Sequence, residues 1–153
     1  MRTMLILVAA LSLSFMPGDK DKYEVKDNVA TLNGKPIFRM DHKDKWANDF
    51  KLQTLDGKDV AYFKWEVFND KNAISQGNPE GRKTYYDILF YESGLKCEMS
   101  AAYTKKQLAK ELHYHNLVFE NVVNPDAIKT FVLIHGTKFS ELRRGGTTVI
   151  INN

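Results

Sequence analysis

The stretch Lys58 to Phe68 constrains the fold most. After Lys58 it reads DVAYFKWEVF, and its side chains alternate. Ala61, Phe63, Trp65 and Val67 fall on one face; Val60, Tyr62, Lys64, Glu66 and Phe68 fall on the other. A period of two is the signature of a strand with one face on a core, and the wholly apolar first set is the inward one. Such a strand cannot stand alone, so the chain must supply partners for it on both sides. Leu55-Asp56-Gly57-Lys58 precedes it, and a near copy, Leu32-Asn33-Gly34-Lys35, lies about twenty residues earlier. Asn-Gly and Asp-Gly between apolar runs mark hairpins, because Asn, Asp and Gly tolerate the positive φ that tight reversals need. Local backbone chemistry thus accounts for every residue of both copies. A phosphate-binding glycine loop is not expected: neither copy opens a helix and neither carries the extra glycines.

Extending this reading gives strands at Val29–Leu32, Lys35–Met40, Phe50–Leu55, Lys58–Phe68, Thr84–Glu92 and Leu95–Ser100. Pro36 lacks an N–H, so its strand is expected at an edge or just beginning there. Asp41 to Asn48 is a polar loop carrying Trp46. The Asn69–Lys83 connection, rich in Asn, Gly and Pro, is long for a compact domain, and such loops are either functional or disordered.

The texture then changes. Thr104-Lys105-Lys106-Gln107 matches a capping box, opening a helix from Lys105 to about His113 with Leu108, Ala109 and Leu112 on one side. Asn124-Pro125-Asp126 combines an N-cap, a first-turn proline and an acid at the positive dipole end. Ile128, Phe131, Val132 and His135 follow at helical spacing, and Gly136 is a ready terminator. Leu133 and Ile134 suggest burial on more than one side, with a strand over Thr130–Ile134 as the alternative. Asn116–Val123 is ambiguous. Gly145-Gly146 turns into a closing strand, Thr147–Ile151. The expected fold is α+β: an antiparallel meander of about six strands, two C-terminal helices on one face, and a final strand.

The N-terminus stands apart. Met1-Arg2-Thr3 is basic, Met4–Met16 is apolar but for two serines, and Pro17-Gly18 precedes the charged Asp19-Lys20-Asp21-Lys22. This is the layout of a signal peptide over residues 1–18, with Ser12-Leu13-Ser14 at cleavage spacing. The apolar run is too short to span a bilayer. Residues 19–153 then form one domain, exported to the periplasm or beyond, with no membrane span after leader removal. Cys97 is the single cysteine, so no internal disulfide is possible and the core must carry stability. In Leu95-Lys96-Cys97-Glu98-Met99 it alternates onto the inward side. Net charge is +3, or +2 without Arg2, and lysines interleave with acids; this argues against nucleic acid as a partner.

No nucleophile elbow, zinc-protease helix, P-loop, dinucleotide fingerprint or calcium loop is present, so no catalytic residue and no cofactor are assigned. His113-Tyr114-His115 is the only local histidine pair. On a strand the two share a face; on a helix they diverge by about 200°. A third ligand would have to come from His42, Asp41 or His135. Aromatic enrichment is the positive clue: Tyr62, Tyr85, Tyr91 and Tyr114 are the candidate ligand-binding residues, suited to a peptide, a sugar or a protein surface.

The leader, Val29-Ala30-Thr31-Leu32-Asn33-Gly34-Lys35-Pro36-Ile37-Phe38 near the mature start, and the second Leu-Asp-Gly-Lys with its aromatic strand resemble small exported bacterial proteins of unknown function. The resemblance covers the first half of the chain and implies no catalytic residue. The expected function is an exported, non-enzymatic binding module for a protein or small-molecule ligand of the cell envelope. The alternative is a small periplasmic metal-dependent or hydrolytic enzyme using His113, His115 or His135.

Overall fold

A computed structural model of the chain describes residues 21–42 and 48–145. The expected leader, Trp46 and the expected closing strand Thr147–Ile151 lie outside the described residues. Seven strands form one antiparallel meander in chain order: β1 (Tyr23–Lys26), β2 (Val29–Leu32), β3 (Lys35–His42), β4 (Phe50–Gln53), β5 (Asp59–Asn69), β6 (Arg82–Phe90) and β7 (Lys96–Ser100). After α1 (Lys105–Tyr114) comes a two-stranded hairpin, β8 (Val118–Phe119) and β9 (Val122–Val123). Helices α2 (Pro125–His135) and α3 (Lys138–Gly145) complete the order. The α+β class and the meander are as expected, with β1, β8–β9 and α3 added.

Period-two patterning puts Ala61 and Phe63 on the core side, but Val60 and Phe68 of the opposite set are buried as well, while Trp65 and Val67 are only half-buried. Ala61 and Phe63 are fully buried, as are Phe38, Met40, Phe50, Leu52, Ile88, Phe90 and Cys97 on the same side. Helix α1 covers them with Leu108, Ala109 and Leu112, and α2 with Ile128 and Phe131. Each large apolar side chain so buried contributes about 1.5–3 kcal/mol. Phe50 and Phe63 stack at 4.4 Å between centroids, and Tyr86 meets both edge-on. Helix α1 leans on β1 and α2 on β7, the first and last strands of the sheet.

Both helix starts follow their capping chemistry. The Thr104 N–H donates to Gln107 Oε1 at 2.9 Å, and the Gln107 N–H returns to Thr104 Oγ1 at 3.3 Å. Asn124 accepts from the Ala127 N–H at 3.2 Å, with Pro125 in the first turn. Leu133 and Ile134 are 84% and 54% exposed, so α2 is buried on one side only, and Thr130–Ile134 is helix rather than strand.

The two copies of Leu-[Asn/Asp]-Gly-Lys are both chain reversals, but of different kinds. Asn33 and Gly34 have φ of 52° and 79°, and Leu32 pairs directly with Lys35, giving a two-residue hairpin. In the second copy only Gly57 is positive, and Thr54 belongs to the reversal: its carbonyl accepts the Gly57 N–H at 3.1 Å and its N–H donates to the Lys58 carbonyl at 3.0 Å. Strand β4 therefore ends at Gln53 rather than Leu55. Two further tight reversals, Asp27-Asn28 and Glu120-Asn121, place both residues at positive φ without any glycine. Pro36 is not on an edge strand; β3 lies between β2 and β4, and the proline sits at its start, beside a register shift at Ala30/Thr31. Asp41 and His42 extend β3 rather than opening a loop.

The connection from β5 to β6 is ordered by its own polar groups. The Asp70 N–H donates to the Gly81 carbonyl at 2.8 Å; the Asn78 side chain donates to the Ala73 and Arg82 carbonyls and accepts the Arg82 N–H. Lys83 pairs with Asp70 at 2.6 Å. Gly81 is required here: φ is 62°, and a Cβ would stand 2.1 Å from the Asp70 carbonyl oxygen.

Helices α1 and α2 share the buried face of the sheet, as expected, whereas the added α3 lies on the other. At Gly136 the chain passes the free edge of β7, where the Glu98 N–H donates to the Gly136 carbonyl at 2.8 Å. Glu98 alternates with Cys97 and Met99, so its side chain points to the opposite face of the sheet. There its carboxylate accepts the Phe139 N–H at 2.7 Å and the Ser140 N–H at 3.0 Å, capping α3 from another strand. Phe139 stacks on Tyr85 at 5.1 Å and 7°. These N–H groups satisfy a carboxylate that is buried.

Candidate functional site

The four candidate tyrosines do not converge on one surface. The Tyr62 hydroxyl donates to Asp49 at 2.7 Å, and that bond holds its proton above the usual tyrosine range. Tyr91 is 43% exposed on the same outer face. Tyr85 is buried beneath Phe139 of α3 and so is withdrawn from solvent. Tyr114 is 77% exposed at the end of α1, in the helix layer.

The histidine pair is resolved by helix geometry. His113 and His115 diverge around the end of α1 and serve different neighbourhoods. His113 Nδ1 and the Tyr23 hydroxyl are hydrogen-bonded at 2.8 Å, tying α1 to β1. His115 Nε2 lies 3.3 Å from Glu111 Oε1, one helical turn earlier. His135, at the end of α2, comes to 5.7 Å from the His115 ring. Both rings rest against the fully buried Phe131, at 5.0 Å and 4.1 Å. One ligand atom each from Glu111, His115 and His135 lie within 4.8 Å of one another, and all three residues are half-buried. His135 Nε2 is sealed from water yet has no hydrogen-bond partner among the described residues. Leaving such a nitrogen unpaired costs about 1–3 kcal/mol. Burial, and then the nearby His115, holds the His135 imidazole below its ordinary pKa and therefore neutral near pH 7. His42 and Asp41 are not part of this cluster: His42 lines a separate cavity of about 140 Å³ with Trp65 and Tyr86. Sequence spacing could have pointed to Glu111 and His115, four apart on one helix, but not to their meeting with His135.

An apolar groove of about 330 Å³ lies between the β2–β3 hairpin, the end of α1 and the β8–β9 hairpin. Leu32, Ile37, Leu55, Val118 and Phe119 line it, with His113 at its wall. The hairpin that closes one side is held by Asn121, whose side chain accepts the Leu55 N–H and donates to Asp56. The second Asp-Gly reversal thus serves as the anchor of the groove wall. Phe119 stays 55% exposed over it. Nothing in the sequence announced this groove, because its walls come from segments far apart in the chain.

Cys97 is no candidate nucleophile. It is fully buried, and burial with neighbouring Asp87 and Glu98 pushes its thiol up to about 12. Among the described residues no helix is long and apolar enough to cross a membrane. No family model, curated protein or solved structure matches the chain.

Proposed function

We propose that this chain is an exported, non-enzymatic binding module whose ligand is a small, largely apolar molecule held in the groove beside the β8–β9 hairpin. The observation that carries this reading is the groove itself. Its volume of about 330 Å³ falls at the lower end of ligand-pocket sizes. Six apolar residues line it, Pro36 included, with Lys35, Glu120 and Asn121 among the polar ones, and His113, hydrogen-bonded to Tyr23, supplies an oriented polar group. The leader-like N-terminus supports export.

The test uses 1-anilinonaphthalene-8-sulfonate as probe. The native protein should show saturable fluorescence enhancement with one site per chain. Ile37→Glu, which places a charge in the groove, should abolish it, whereas Leu133→Glu, on the exposed side of α2, should not. Absence of saturation, or equal loss in both variants, would refute the groove as the binding site. The enzymatic alternative loses His113, which faces β1, and would have to rest on Glu111, His115 and His135.

A further inference from the structure

Helix α1 presents Glu111 and His115 on one face because residues four apart are neighbours on a helix. Helix α2 ends by turning His135 toward them. The three donors are two imidazole nitrogens and a carboxylate oxygen, gathered within 4.8 Å over the apolar floor of Phe131. Glu111 already faces His115, whereas His135 Nε2 is buried and meets no hydrogen-bond partner among the described residues. A plain core histidine would have its nitrogens satisfied by the fold. One ring nitrogen of this same imidazole completes the donor set with Glu111 and His115.

We propose that Glu111, His115 and His135 form a binding site for a divalent transition-metal ion of the zinc class. Zinc held tetrahedrally at about 2.0–2.1 Å sets its ligands roughly 3.3 Å apart. The Glu111–His115 spacing of 3.3 Å meets that distance as it stands. The remaining separations, all within 4.8 Å, would shorten through side-chain rotation as the ion binds. Two imidazoles favour zinc, copper, nickel or iron over magnesium and calcium, which take oxygen ligands. Three protein ligands leave a coordination position for water or an exogenous donor, the open pattern of zinc sites that handle a ligand. Because α1 packs on β1 and α2 on β7, the ion would also tie together helices seated on the two ends of the sheet. His113 is outside the site, committed to Tyr23.

The experiment is titration of chelator-treated protein with zinc chloride by calorimetry, with cobalt(II) absorption as a second readout. The native chain should bind one ion with micromolar or tighter affinity, and cobalt should develop a visible band. His115→Ala and His135→Ala should each weaken zinc binding at least about tenfold. Glu111→Gln, which keeps the shape and removes the anionic ligand, should do the same with the circular dichroism of the fold unchanged. His113→Ala and the groove variant Ile37→Glu should bind zinc like the native chain. No binding by the native chain at millimolar zinc would overturn the proposal. So would native affinity in either His135→Ala or Glu111→Gln.

Discussion

Replacing Glu98 with alanine tests how α3 is held. The substitution removes the carboxylate that accepts the Phe139 and Ser140 N–H groups, but it keeps the backbone bond from residue 98 to the Gly136 carbonyl. Hydrogen bonds to a charged acceptor are worth about 1.5–3 kcal/mol each, and a lost helix cap costs about 0.5–2 kcal/mol. Helix α3 is short, and its first turn docks through this carboxylate and the Phe139–Tyr85 stack. It can release locally, so the expected loss is capped by its own docking energy, about 1.5–3 kcal/mol. That corresponds to roughly a tenfold to hundredfold faster amide exchange at Phe139 and Ser140, since each 1.4 kcal/mol is a factor of ten. Amide exchange followed by mass spectrometry or NMR reads this directly. Amides in the paired strands β5 and β6 should keep their protection. Unchanged exchange at Phe139 and Ser140 in Glu98→Ala would refute the cross-strand cap. So would an equal rise throughout the sheet, which would mean that Glu98 supports the core instead.

Gly81→Ala should cost clearly more than Gly34→Ala in urea denaturation. Both sit at positive φ, where a side chain costs about 1 kcal/mol, but only at Gly81 would the new Cβ strike a backbone oxygen. In metal-free protein, stability should fall as pH drops through about 6.5. The folded state holds the His135 pKa down, so the unfolded chain binds the proton more readily, and stability is full above the unfolded value and lost below it. His135→Gln should flatten that part of the profile. Cys97 should resist a thiol reagent under native conditions and react at once in denaturant, given its burial and its raised pKa.

Much of the scaffold was legible because its signals are local. Alternation in DVAYFKWEVF, the Asn33-Gly34 pair, the Thr104–Gln107 box and Asn124-Pro125 each act within a few residues, and each appears where the physics of neighbours puts it. The misreadings share a different cause. Asp27-Asn28 and Glu120-Asn121 reverse the chain without glycine, so strands β1, β8 and β9 lacked their usual marker. Helix α3 was hidden because its cap is not a preceding Ser, Thr or Asn but a glutamate about forty residues earlier, on β7. Leu133 and Ile134 read as buried because composition counts apolar residues without knowing whether a second layer exists to cover them.

By itself the sequence determined the class of fold, the Asn33-Gly34 hairpin, the starts of two helices, and the inward placement of Cys97. All of these follow from φ preferences, side-chain periodicity and hydrogen bonds spanning a few residues. Tertiary structure alone decided that His113 serves β1 while His115 joins Glu111 and His135, that Tyr85 lies beneath α3, and that segments around Ile37, Leu55 and Phe119 enclose a groove. Those relations depend on which distant surfaces close the core together, and that is set by the packing of the whole chain rather than by any stretch of it.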